Sequence, residues 1–277
     1  MRLWLFLLVQ VVSARYHTTN HLLSKVKFLC TVSSYLQCSK EKGIMVVDYL
    51  PNEPRDTLWV FNEHARERIT GELALHVLEQ VIATKPQKRI TMIPVLNVWG
   101  RKQVDDGDFC RRKNRNEVDT NRNYQIKERH YYYKDSEEYE GPSPLSEKET
   151  QLVSDILLQG VKRYINVHSG EFSMYMPYDS NTSPPPHAEK MRNFLTQLHP
   201  MCPECSKGQA AKVSFYKAFG TSVDYAIRIG IPEAYTFEIY GATSYKCQEM
   251  FNPKSTDEYI RVLNMWSDIL MTSLSIE

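Results

Sequence analysis

Leu58-Trp59-Val60-Phe61-Asn62 runs without a break into Glu63-His64-Ala65-Arg66-Glu67, and Ile69–Ala83 follows with Leu73, Leu75, Val77, Leu78, Val81 and Ile82. The first stretch is a short apolar run, as expected of a strand covered on both faces. The last repeats its apolar residues at helical spacing. A strand, a turn carrying ionisable side chains and a helix therefore succeed one another. Three more apolar runs read as strands: Ile90–Leu96, Arg163–Val167 and Ala234–Tyr240. Helical patterns cover Ser146–Leu158, His187–Leu198 behind Pro184-Pro185-Pro186, and Thr256–Leu270. Ser146 with Glu149 three residues later predicts a capping box at the first of these helices. Strands alternating with helices predict an α/β fold with a central mixed, mainly parallel sheet flanked by helices. Sites in such folds gather at the C-terminal ends of strands. No repeat or low-complexity linker divides the 277 residues, so one domain over 15–277 is expected.

Composition excludes some classes. Apolar residues make up 42% and charged residues 24%, as in globular proteins, and a net charge of +1 offers no bulk field for nucleic acid or an anionic membrane. Met1-Arg2, the apolar run Leu3–Val9 and the small residues near Ala14 predict a signal peptide over 1–14, hence a secreted protein with no membrane association once it is cut. Six cysteines (Cys30, Cys38, Cys110, Cys202, Cys205 and Cys247) then predict up to three disulfides, with 15 possible pairings. Cys202-Pro203-Glu204-Cys205 has no second pair to complete a zinc knuckle. Asn181-Thr182-Ser183 is a glycosylation sequon if that segment is exposed. The segment Gly100–Glu140 is too long for a plain connection and reads as a functional loop, in which His130–Tyr133 with Glu137, Glu138 and Glu140 is expected to form a solvated face.

His64 and Glu67 stand three apart in a strand-to-helix turn, and His168 follows the strand Arg163–Val167 directly. Two imidazoles and a carboxylate at two strand ends are a donor set for one zinc ion that leaves a coordination position open. A lone His-x-x-Glu is common by chance, but here it is one of an ordered set. Asp119-Thr120-Asn121-Arg122-Asn123, Gly141-Pro142-Ser143-Pro144-Leu145-Ser146-Glu147, His168-Ser169, Tyr216 and Thr236-Phe237-Glu238 follow it in order. Together they resemble the zinc metallocarboxypeptidase family, whose best-known members are the pancreatic carboxypeptidases A and B. The likeness runs from about Tyr16 to the C-terminus and is closer in look to the plant and protist branch.

The resemblance implies a zinc exopeptidase that acts as a monomer on peptide C-termini. By it, His64, Glu67 and His168 hold one zinc, Asp119 accepts a hydrogen bond from the first ligand histidine, and Glu238 is the general base. Arg112, rather than its neighbour Arg111, stabilises the oxyanion. Asn121, Arg122 and Tyr216 grip the terminal carboxylate, and Arg66 serves an outer subsite. Val223, seven residues after Tyr216, falls at the floor of the side-chain pocket and suits an apolar residue. Asp179, eleven after His168, falls where another branch binds basic side chains. Of the two, an apolar or broad preference is expected. Glu117 and Val98 stand where the family often has Gly and Pro, and Gly170 removes an aromatic wall, which implies wider upstream subsites. The family's inhibitory propeptide has no room between Ala14 and Tyr16, so a protein made active or restrained otherwise is expected. A related hydrolase of cell-wall peptides, or an inactive binding module on the same fold, are the alternatives.

Overall fold

The structure, a computed structural model, describes residues 15–124, 132–214, 216–244 and 246–277. The expected signal peptide over 1–14, and His130 and Tyr131 of the acidic and aromatic tract, lie outside the described residues.

The strands are β1 (Leu36–Glu41), β2 (Ile44–Tyr49), β3 (Thr57–Phe61), β4 (Ile90–Ile93), β5 (Arg163–His168), β6 (Phe172–Met176), β7 (Ser206–Gln209) and β8 (Glu233–Ile239). They form one sheet in the order β1-β2-β4-β3-β5-β8-β6-β7. The centre, β4-β3-β5-β8, is parallel, and β6-β7 is a second parallel pair. The β1-β2, β2-β4 and β6-β8 contacts are antiparallel. The helices are α1 (Thr19–Val32), α2 (Arg68–Thr84), α3 (Val98–Asp105), α4 (Lys148–Leu157), α5 (Ala188–Leu198), α6 (Ala210–Val213), α7 (Ser222–Arg228), α8 (Cys247–Phe251) and α9 (Thr256–Ser273). The expected α/β sheet is present. Every residue of β3, β4 and β5 is buried; β3 and β4 are accordingly almost wholly apolar, while β5 also buries Arg163, Asn166 and His168.

Two local expectations change. The strand expected over Ile90–Leu96 ends at Ile93, because Pro94 has no N–H to continue the ladder. The capping box at Ser146 does not form: α4 starts after Glu147, without a side-chain cap. Ser146 Oγ instead accepts from Asn123 Nδ2 and donates to Glu147 Oε1, which ties it to the loop behind Arg122. Glu117 adopts a left-handed φ of 60°, the conformation that explains a usual glycine there. Val98 opens α3 behind the N-cap Asn97, the helical position where proline is also at home.

All six cysteines are paired, as Cys30–Cys38, Cys110–Cys247 and Cys202–Cys205. The second joins the loop before Arg112 to the start of α8. Among the described residues no helix is long and apolar enough to cross a membrane.

Away from the site, a buried polar knot joins the N-terminal segment to α2, α3 and α9. Glu72 Oε1 accepts from Arg101 Nη2 at 3.1 Å and from the His17 backbone N–H at 3.0 Å, and Tyr259 donates to Glu72 Oε2 at 3.1 Å. Arg101 is fully buried, and Arg101→Met would leave the Glu72 carboxylate without its strongest counter-charge. The variant should lose about 3–5 kcal/mol of stability, read as a lower urea midpoint at unchanged slope. A shift below about 1 kcal/mol would show that the knot relaxes.

Candidate active site

The first turn of the site is built by its own backbone. Beyond β3, Asn62 takes a left-handed φ of 52°, and its Nδ2 donates to the His64 carbonyl at 2.8 Å. Thr70 Oγ1 donates to the Glu67 carbonyl at 2.8 Å and accepts from Asn62 N–H at 2.9 Å, pinning the turn to α2. Glu67 holds the N-cap position of α2 but makes no capping bond with its side chain. Its carboxylate faces the site instead. Parallel pairing sets the rest: Phe61 is opposite Val167, and His168 is opposite Glu238. The ends of β3, β5 and β8 therefore lie side by side. Gly241 lets the chain leave β8, since a Cβ there would stand 2.3 Å from the Gly170 carbonyl oxygen.

His64 Nδ1 lies 2.7 Å from Glu67 Oε1 and 3.1 Å from His168 Nδ1, and His168 Nδ1 lies 3.0 Å from Glu67 Oε2. One ligand atom from each residue falls within 4.8 Å of the others, and all three residues are buried. Two ring nitrogens and a carboxylate turned to one point are lone-pair donors that fit a zinc ion. With every cysteine in a disulfide, no thiolate competes. Behind them, Asp119 Oδ1 is 3.1 Å from His64 Nε2, which assigns the proton to Nε2 and leaves Nδ1 as the donor. His168 Nε2 faces Asn121 Nδ2 at 3.4 Å and Glu63 Oε2 at 3.6 Å. Burial pushes the Asp119 carboxyl up, but Arg112, then His64 and Arg122, outweigh it and hold it well below the usual range. Glu67 is likewise lowered by His64 and His168 against its burial.

Arg112 is locked on Asp119 by Nε at 2.8 Å and Nη2 at 2.7 Å, which leaves Nη1 pointing at the metal donors, 3.3 Å from His64 Nδ1. Arg111 turns away, onto the Lys113 and Asn114 carbonyls and Glu117. Arg122 is packed under Gly220, where a Cβ would stand 2.1 Å from the Arg122 carbonyl oxygen. Asn121 is fixed through Oδ1, which accepts from Ser222 N–H at 2.9 Å. Tyr216 stands at the rim, 55% exposed. Glu238 Oε2 is buried without a partner, and burial first, with Glu67 and Glu171 adding to it against His168, pushes this carboxyl up to about 8.

These groups line one cavity of about 260 Å³: His64, Arg66, Glu67, Arg112, Asn121, Arg122, His168, Tyr216 and Glu238, together with Asp179. Asp119 supports it from behind. Val223 is not among the lining residues; it is buried in the first turn of α7, and Thr221 faces the cavity in its place. Asp179 Oδ1 is buried and unpartnered. Burial and the neighbouring Asp224 push its carboxyl up to about 8. Gly170 does not leave open space, because the ring of Phe251 lies against it, 3.2 Å from where a Cβ would be. The Arg66 guanidinium stacks over that ring at 4.3 Å.

Glu63, Phe251 and Thr221 escaped sequence reasoning. Only the adjacency of Glu63 to His64 offered a signal. The acidic tract is also not simply a solvated face: Glu137 pairs with Arg66 and Glu138 with Arg122.

The donor set gives a direct prediction. Wild type dialysed against excess zinc should retain one zinc per chain by atomic mass spectrometry, and Glu67→Gln or His168→Ala should retain far less than one. Equal zinc in all three would place the ion elsewhere.

Residues 51–261 match the sequence pattern of the family described as zinc carboxypeptidase. Mast cell carboxypeptidase A of Rattus norvegicus is 30% identical over 205 residues, 64% of this chain and 50% of that protein. Carboxypeptidase B2 of Mus musculus is 23% identical over 271 residues, 83% of this chain and 64% of that protein. The chain thus spans about half the length of the first and less than two thirds of the second. Among solved structures, bovine thrombin-activatable fibrinolysis inhibitor in complex with tick carboxypeptidase inhibitor superposes with a TM-score of 0.82 at 21% identity, covering 94% of this chain and 97% of that one. Carboxypeptidase A of Helicoverpa armigera gives 0.75 at 17% identity, over 94% and 74%. These superpositions concern the fold, and none of the relatives named bears on a likeness to plant or protist proteins. With most of its length matched and the fold shared, the chain belongs to the zinc carboxypeptidase family.

Proposed function

We propose that this chain is a zinc-dependent exopeptidase that hydrolyses the peptide bond next to a free C-terminal carboxylate. The observation that carries the reading is one cavity holding a three-residue metal donor set, an unpartnered buried carboxylate at Glu238 and a buried guanidinium at Arg122. When bound, zinc supplies a Lewis acid and lowers the pKa of a coordinated water to near ~7.

The chain's own groups supply the rest. Arg122, with Asn121 and Tyr216 beside it, holds the terminal carboxylate, because a planar guanidinium pairs with that group at two points. This fixes the last peptide bond over the ligand edge of the sheet. Glu238 Oε2 has no other partner, so it is available to take a proton from the attacking water and return it to the leaving amine. Arg112 Nη1, held by the Asp119 clamp, donates to the oxygen on which negative charge develops. The intact donor set and base argue against an inactive binding module, and the Arg122 site favours an ordinary α-carboxylate over a cell-wall peptide without one. Three disulfides suit an oxidising compartment, which supports secretion.

For the departing side chain, the lining favours a cationic residue over the apolar one expected from Val223. Asp179 lines the cavity and has a buried, unpartnered Oδ1, whereas Val223 belongs to the core.

Arg122→Ala should lower kcat/KM on free-acid peptides by about 100-fold or more while zinc content stays near one, and the wild type should leave C-terminally amidated peptides intact. Glu238→Gln should lose about 10²–10⁴-fold in kcat with the metal retained. Undiminished turnover in either variant contradicts the role given to that residue. The specificity reading has its own pH signature. The Asp179 carboxyl, pushed up to about 8, is protonated in the empty pocket at lower pH and ionised above it. The kcat/KM for a peptide ending in Arg, relative to one ending in Phe, should therefore rise between pH 6 and 9. Asp179→Asn should flatten that rise, and a ratio flat in the wild type would remove Asp179 from the pocket's selectivity.

A further inference from the structure

Arg122 already holds a carboxylate of its own chain. Its side chain is only 2% exposed, and its Nη2 donates to Glu138 Oε1 at 2.7 Å. Nη1 donates to the Asn121 carbonyl at 2.9 Å, and Nε is buried without a partner. A guanidinium grips a carboxylate at two points in two ways, end-on through Nη1 and Nη2 or side-on through Nε and Nη2. Both need Nη2, the atom that Glu138 occupies. The electrostatics agree: after burial, which lowers it, Arg122 is held protonated by Asp119, Tyr216 and Glu138.

The backbone beneath Glu138 is fixed on both sides. Its N–H donates to Ser136 Oγ at 3.1 Å, the Ser136 carbonyl accepts from Lys113 Nζ at 2.9 Å, and the Tyr139 carbonyl accepts from Asp119 N–H at 2.8 Å. The Glu138 side chain is 34% exposed, so it has a path to water. A rotamer change, with no movement of the chain, would vacate Nη2.

We propose that Glu138 is an intramolecular competitor of the substrate: its carboxylate occupies the terminal-carboxylate position on Arg122 in the free protein and must swing out before a peptide C-terminus can pair there. This rests on the reading of Arg122 given above. Glu138 is thus a selectivity residue acting through Arg122. It sets how tightly free C-termini bind without touching the scissile bond, and it fills in the resting state a buried cation that would otherwise lack a direct counter-ion. Glu137 does the same for Arg66, pairing at 3.0 Å, but its side chain is 62% exposed and its partner lies outside the carboxylate position.

The test uses the zinc-loaded chain and two readouts. Benzoylglycine, a small carboxylate that needs no turnover, is titrated calorimetrically into wild type, Glu138→Gln, Glu138→Ala and Glu137→Gln. KM and kcat are measured on a free-acid peptide in parallel. Removing the competitor should lower both the Kd for benzoylglycine and KM by about three- to tenfold in the two Glu138 variants, with kcat little changed and Glu137→Gln within about twofold of wild type. Unchanged or weaker binding in the Glu138 variants overturns the proposal, as does an equal gain in Glu137→Gln, which would mark a general charge effect. If the wild type binds benzoylglycine but turns over no peptide, the exopeptidase reading fails while the Kd series still decides whether Glu138 competes. No binding by any variant removes the carboxylate site and the proposal with it.

Discussion

Everything at the site depends on parallel pairing at the centre of the sheet. Residues in β3, β5 and β8 run in the same direction and in tight register, so their C-terminal ends finish together. His64 and Glu67 follow β3, His168 ends β5, and Glu238 lies directly across from His168 on β8. Residues separated by up to 174 positions in sequence (238 − 64) are thereby placed around one point. No loop has to be long or adaptable for this to happen, because the strands themselves fix the approach.

Bringing so many ionisable groups together in a buried place is costly unless each has a partner. The chain meets this by pairing nearly all of them. Asp119 is the hub: it takes His64 on one oxygen and Arg112 on the other, and its backbone N–H binds the segment that carries Glu138. Some buried groups are nonetheless left without partners. Glu238 Oε2, Asp179 Oδ1 and Arg122 Nε are buried and unsatisfied, and their residues all line the one cavity. Other buried unpartnered atoms, among them the Nε atoms of Arg68, Arg89, Arg101 and Arg228 and the ring N–H groups of Trp59 and Trp266, belong to residues outside that cavity.

How much of this the sequence disclosed follows from the same physics. Strands covered on both faces are mainly apolar, so Thr57–Phe61, the Tyr164–Val167 stretch of Arg163–His168 and most of Glu233–Ile239 were legible. Edge strands are not. Ser206-Lys207-Gly208-Gln209 and Leu36–Glu41 carry polar residues and look like loops until a neighbour pairs with them. The metal donors and Arg112, Asn121, Arg122 and Glu238 could be located because they sit in ordered motifs. Contacts set only by tertiary packing could not. Phe251 against Gly170, Glu63 behind His168, the partnership of Cys110 with Cys247, and Glu138 on Arg122 leave no periodic or motif signal. Ser146 shows the converse: its capping pattern is present, but a tertiary contact with Asn123 and a local one with the adjacent Glu147 claim the hydroxyl first.

The central claim is that His64, Glu67 and His168 converge on one cation, and X-ray absorption at the zinc edge of the loaded protein tests it most directly. Convergence gives a first shell of nitrogen and oxygen at about 2.0–2.2 Å with scattering from two imidazoles and no sulfur. A shell with one imidazole or none, or with sulfur at about 2.3 Å, would contradict it.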